Sequence, residues 1–133
     1  MRVFLDTSVL VAAFATRGLC ADVLRTVLAE HELIVGETVL TELGRVLREK
    51  IGTPDAQARD VVGFVRQHAH VAAEVPVPTV DLRDPNDLPI LAGAIQGAAE
   101  VLVTGDKDLL VLGRVESVPI LDPRGFWDLI TGR

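Results

Sequence analysis

Val3-Phe4-Leu5-Asp6-Thr7-Ser8-Val9-Leu10-Val11-Ala12-Ala13-Phe14 is the stretch whose reading decides the fold. Val3-Phe4-Leu5 is an unbroken apolar run of strand length, whereas from Ser8 onward the chain offers good helix formers and no breaker before Gly18. The segment reads as a short buried strand, a tight corner carrying one carboxylate, Asp6, and a helix. A strand that is apolar at every position must be covered on both faces, which is the habit of parallel sheets wrapped by helices. The same kind of run recurs in Leu33-Ile34-Val35, bounded by Gly36, and in Val101-Leu102-Val103.

Between these strands the period changes. Residues 20–30 place Val23, Leu24, Val27 and Leu28 on one helical face, and residues 37–49 do the same with Val39, Leu40, Leu43, Val46 and Leu47. Thr53-Pro54 has the form of an N-cap followed by proline at the first helical position, opening a helix through Val61, Val62, Phe64 and Val65. His70 to Val77 reads as a weaker strand, followed by a proline-rich loop through Arg83, Asp84 and Pro85. Leu88, Leu91, Ala92 and Ile95 form another helical face, and Pro89 is tolerated if that helix begins near Asn86. Val118-Pro119-Ile120-Leu121 reads as an edge strand because of its proline, and Phe126, Trp127, Leu129 and Ile130 as a closing helix. Alternating strands and helices over 133 residues, 49% of them hydrophobic, predict one α/β domain spanning residues 1–133.

The 13 basic and 19 acidic side chains leave a formal charge of -6, which excludes a general polyanion binder held by net charge alone. Cys20 is the single cysteine, so an intrachain disulfide and a multi-thiolate metal site are both excluded, and a reducing, cytoplasmic location is expected. Asp6 interrupts the apolar N-terminus and no small-residue cleavage site follows, so no signal peptide is expected, and no apolar run reaches the length of a membrane span.

In such sheets ligands bind outside the carboxyl ends of the strands, where the strand order reverses. Asp6 ends the first strand and Asp106 follows Val101-Leu102-Val103; if these strands are neighbours, both carboxylates enter one crevice. Glu42 lies on the flank of its helix's apolar stripe, beside Val39 and Val46, and Asp87 opens the helix after the loop. Singly, each has a plain structural role: Asp6 and Asp106 as N-caps, Asp87 as an answer to a helix dipole, Glu42 as a flank residue. Together they would repel, by roughly 3 kcal/mol for a pair about 5 Å apart at an effective dielectric of 20, unless a hard cation neutralises them. Oxygen ligands without a neighbouring histidine or cysteine suit Mg²⁺ or Mn²⁺ rather than zinc, and His68 and His70 lie outside these segments.

The segments LDTSVLVAAF, TVLTELGRVL, RDPNDLPILAGAI and VLVTGDKDLL resemble, in order and over nearly the whole chain, the four motif blocks of the PIN-domain family, in particular its VapC-like toxin ribonucleases. The resemblance implies a three-layer α/β/α fold with a central five-stranded parallel sheet, and an acidic quartet of Asp6, Glu42, Asp87 and Asp106 holding one or two Mg²⁺ or Mn²⁺ ions. Ser8 and Thr104 match supporting hydrogen-bonding positions, and Asp108 is a second acid in the last block. Asp87 fits the spacing better than Asp84, Pro89 is atypical inside its block, and Asp106 is nearer the strand end than Asp108. The family further implies a homodimer, a cognate antitoxin protein, and hydrolysis of RNA phosphodiesters to a 5′-phosphate and a 3′-hydroxyl. Two bound ions would lift the charge from -6 to about -2. Arg17, Arg83 and Lys107, with the Arg45, Arg48 and Lys50 run, are the cations left to meet RNA phosphates, and the acidic total also suits a basic antitoxin segment in the RNA groove.

Two other classes compete. Phosphohydrolases of the haloacid dehalogenase type need a second aspartate two residues after the first, where Ser8 stands, and receiver domains need an acidic pair and a distant lysine that Lys107 does not match. A catalytically inactive protein-interaction module would be expected to lack some of the acids, and all four matching positions carry one.

Overall fold

The computed structural model describes residues 1–76 and 85–133. Its elements are β1 (Arg2–Leu5), α1 (Thr7–Ala15), α2 (Leu19–Glu30), β2 (Glu32–Gly36), α3 (Glu37–Val46), α4 (Asp55–His68), β3 (His70–Ala72), α5 (Leu88–Gln96), β4 (Val101–Val103), α6 (Lys107–Leu112), β5 (Arg114–Val115), β6 (Val118–Leu121) and α7 (Pro123–Thr131). A wide π turn, Leu47–Ile51, prolongs α3 and stops at Gly52, whose φ of 80° is cheap only for glycine. A 3₁₀ turn, Pro85–Asp87, leads into α5.

The sheet runs β3-β2-β1-β4-β6-β5, parallel throughout except for β5 against β6. Every residue of Val3–Leu5, Leu33–Val35 and Val101–Val103 is at most 2% exposed. Successive strand residues point to opposite faces, so this burial means that helices cover both. The chain lays down β1, β2 and β3 outward in one direction, then returns across β1 to add β4 and β6 on its other side. Crossovers of constant hand therefore put the helices before and after the reversal on opposite faces. The reversal falls between β1 and β4, which pair with Leu5 opposite Val103.

The expected five parallel strands are present, and β5 corrects the count to six. It also corrects the place of β6, which is flanked on both sides: Pro119 lies opposite Arg114 of the two-residue β5 rather than on an open edge. The strand expected over 70–77 ends at Ala72, because the chain then turns out of the sheet; Val77 lies outside the described residues. The helix after Thr53 begins at Asp55 with Pro54 at its N-cap, one residue later than expected, and Thr53 makes no capping bond. Pro89 sits in the first turn of α5, where its missing N–H costs nothing.

Gly97 marks the tightest packing. A Cβ there would lie 2.6 Å from Ile34 Cγ2 and 3.0 Å from the Gly93 carbonyl oxygen, and Arg2 holds the Gly97 carbonyl with Nε at 3.0 Å and Nη2 at 2.6 Å. Gly97→Ala is therefore expected to destabilise the protein by about 1–3 kcal/mol, an overpacking cost. Urea unfolding would show it as a lower midpoint with an unchanged slope.

Candidate active site

The β1–β4 reversal brings two helix starts together. Asp6 ends β1 and caps α1, its Oδ1 accepting the Thr7 backbone N–H at 2.7 Å. Asp106 follows β4 and caps α6, its Oδ1 accepting the Asp108 N–H at 2.9 Å. The N-cap reading of both residues is thus correct, and it does not compete with a site. A cap fixes the carboxylate at a strand's carboxyl end, with the positive end of a helix behind it.

Asp6 is only 7% exposed and Thr104 is fully buried. The Thr104 hydroxyl donates to Asp6 Oδ2 at 2.7 Å and accepts the Asp106 N–H at 3.0 Å, so one side chain ties both acids to the end of β4. The Asp6 N–H donates to the Val103 carbonyl at 3.0 Å, closing the same corner through the backbone. Ser8 Oγ accepts the Gly105 N–H at 3.1 Å and pins the turn between β4 and α6. Thr7, which no sequence pattern singled out, is buried, and its hydroxyl donates to Glu42 Oε2 at 2.9 Å. One residue therefore supplies a backbone donor to Asp6 and a side-chain donor to Glu42. Only its place directly after the strand-end acid hinted at this.

Burial pushes the Asp6 carboxyl above its ordinary value of 3.8; the bonds from Thr104 and Thr7 pull the other way, and the charges of Glu42 and Asp106 add to the upward push. Asp6, Glu42 and Asp106 therefore share one electrostatic site. Asp87 precedes α5 at the same carboxyl end of the sheet, half-buried and making no capping bond to that helix. The structure thus brings Asp6, Glu42 and Asp106 together and places Asp87 at the same end of the sheet. Asp108 adjoins it in the first turn of α6.

The donor chemistry suits a hard divalent ion. A carboxylate offers about four lone-pair sites; Asp6 uses one on each oxygen, Glu42 uses Oε2 and Asp106 uses Oδ1, which leaves oxygen lone pairs on all three. Among the described residues no three acids, histidines or cysteines are close enough to enclose an ion as they stand. His68 and His70 are exposed, as expected of surface histidines.

The expected phosphate-contacting cations fall differently. Lys107 is exposed, between Asp106 and Asp108 in the chain. Arg17 follows α1, about 15 Å from Asp6 by helical rise, and Arg83 and Asp84 lie outside the described residues. Arg45 pairs with Glu49 at 3.2 Å and Arg48 with Asp55 at 3.7 Å, so most of that basic run is engaged locally in weak surface pairs.

A doubly covered parallel sheet with acids gathered at its switch point defines an α/β protein. The model of the PIN domain matches residues 2–108, and the chain belongs to that family. Its fold is similar to that of VapBC2 from Rickettsia felis, solved bound to a DNA fragment from their promoter, at 16% identity and a TM-score of 0.64 over 92% of this chain and 98% of the other. It is also similar to VapBC-1 from nontypeable Haemophilus influenzae, at 16% identity and a TM-score of 0.61 over 93% and 99%. No curated protein sequence matches. No single described helix is long and apolar enough to cross a membrane.

Proposed function

We propose that this protein is a metal-dependent endoribonuclease and the toxin of a toxin–antitoxin pair, acting through Asp6, Glu42, Asp87 and Asp106 with Mg²⁺ or Mn²⁺. The observation that carries the reading is the buried Asp6 carboxylate, held at the β1–β4 switch point against the charges of Glu42 and Asp106. A structural cap has no need of such company. Membership of the PIN-domain family and a fold shared with two toxin–antitoxin complexes support it further.

Asp6, Glu42, Asp87 and Asp106 would hold the ion, which would supply charge neutralisation at the phosphate and make a water more acidic. The chain supplies the rest. Thr7 and Thr104 hold Asp6 in a single rotamer, Thr7 orients Glu42, and the α1 and α6 termini favour negative charge at the crevice. Lys107 meets a phosphate beside the scissile one. Water adds to phosphorus, the bond to the 3′ oxygen breaks, and that oxygen takes up a proton, leaving a 5′-phosphate and a 3′-hydroxyl. The acidic surface suits a basic antitoxin segment, and the active form is a homodimer in the cytoplasm.

Purified protein is expected to cleave RNA with Mg²⁺ or Mn²⁺, to stop in excess EDTA, and to leave ends that a ligase joins without prior phosphorylation. Full cleavage in EDTA, or none with either metal, overturns the proposal.

A further inference from the structure

Glu74 stands two residues beyond β3, outside every segment that carries the acidic set, and its Oε2 is buried with no hydrogen-bond partner among the described residues. Its Oε1 accepts from the Thr38 backbone N–H and the Thr38 hydroxyl, both at 3.1 Å. The reason lies in how α3 starts. Its N-cap is Gly36, which has no side chain to offer, so the first-turn N–H groups lack a local acceptor. A carboxylate arriving from another strand fills that role and brings a charge that suits the helix's positive end.

The fit is close. A Cβ on Gly36 would stand 3.1 Å from Glu74 Oε2, and a Cβ on Gly93 of α5 would stand 3.9 Å from Glu74 Cγ. The Glu74 side chain therefore occupies the gap between the start of α3 and the body of α5. Those helices carry Glu42 and follow Asp87, respectively. Thr38 and Glu42 are four residues apart, one turn along the same face, so whatever holds Thr38 also sets the axial position of Glu42. Glu42 is held from its other side by Thr7.

We propose that Glu74 is a positioning residue that fixes the first turn of α3 and thereby holds Glu42 at its working distance from Asp6. The metal part of this inference rests on the function proposed above; the placement of Glu42 does not.

The test uses the full chain and Mn²⁺ titrated by calorimetry into metal-free protein. Glu74→Ala is expected to weaken Mn²⁺ binding roughly tenfold, the scale lost when a ligand's support is removed. Glu74→Gln keeps an oxygen acceptor for Thr38 and should restore most of the loss. In a Glu42→Gln background Glu74→Ala should cause no further loss, because the two changes act through one carboxylate. An equal loss in both backgrounds overturns the inference, as does full Mn²⁺ affinity in a Glu74→Ala protein that merely melts earlier. Should Glu74→Ala fail to fold, Thr38→Val, which removes one of the two donors, should give a smaller loss of the same kind, and unchanged affinity in it overturns the inference. A metal-free arm follows the ¹³C carboxyl signal of Glu42, which should move in Glu74→Ala or Thr38→Val and return in Glu74→Gln. If wild-type protein takes up no Mn²⁺ while that signal moves, the metal function fails and the placement of Glu42 stands. A signal that stays put overturns the inference itself.

Discussion

Asp6→Asn is expected to lose at least about 100-fold in metal-dependent RNA cleavage, the upper end of what even a supporting residue of a metal site can cost, yet to unfold no more easily than the wild type. The local bonding allows both results. The asparagine oxygen can keep the Thr7 N–H, and the Thr104 hydroxyl, now donating to Asp6, can rotate to accept from the new amide instead. What disappears is a buried negative charge facing two others. The pH dependence has a definite sign. A carboxyl raised above its unfolded value of 3.8 contributes stability that is fully present below that pH and is lost as pH rises through the higher folded value. Metal-free wild type should therefore lose stability relative to Asp6→Asn as pH rises through this window, read as the difference in urea midpoints. An active Asp6→Asn protein would remove Asp6 from the chemistry. An inactive one with a much lower midpoint would make Asp6 a structural residue.

The parts of this molecule legible in its sequence are those written in a few adjacent residues. Val3-Phe4-Leu5, Leu33-Ile34-Val35 and Val101-Leu102-Val103 each declare a doubly covered strand, since a run with no polar alternation has no face to give to water. With those strands known, Asp6 and Asp106 fall at the carboxyl edge without further information. The illegible parts depend on partners distant in sequence. The Thr7–Glu42 bond spans 35 residues and the Thr38–Glu74 bonds 36, and neither leaves a periodic trace. Glu74 sits in a stretch that reads only as the end of a weak strand; beyond β3 its carboxylate meets the start of α3, whose N-cap glycine has no side chain to cap with. The two-residue β5 is too short for any alternation to be seen, and it exists only because β6 offers an edge. The N-cap and site roles of Asp6 exclude each other only when the residue is taken alone. In three dimensions the cap is the means by which the carboxylate is aimed.

Adding Mg²⁺ or Mn²⁺ should raise the melting temperature by roughly 10 °C at an ion concentration about 100 times its dissociation constant. Ligation of the native state at that excess adds about 2.7 kcal/mol, and a chain of 133 residues unfolds with an entropy of roughly 0.28 kcal/mol/K. The effect is large for a specific reason. Without the ion, the Asp6 carboxylate is opposed by burial and by the charges of Glu42 and Asp106; with it, the same proximity becomes attractive. The sign of the pH dependence should reverse accordingly: metal-free protein weakens as Asp6 ionises, whereas the ion's contribution grows with the same ionisation. General screening of a surface with a net charge of -6 would mimic a small part of this, so sodium chloride at matched ionic strength is the control. Scanning calorimetry on wild type, Asp6→Asn and Asp106→Asn separates the two causes. The increment should shrink to the salt control in both variants; if either variant keeps the full increment, the ion is binding somewhere other than the β1–β4 crevice.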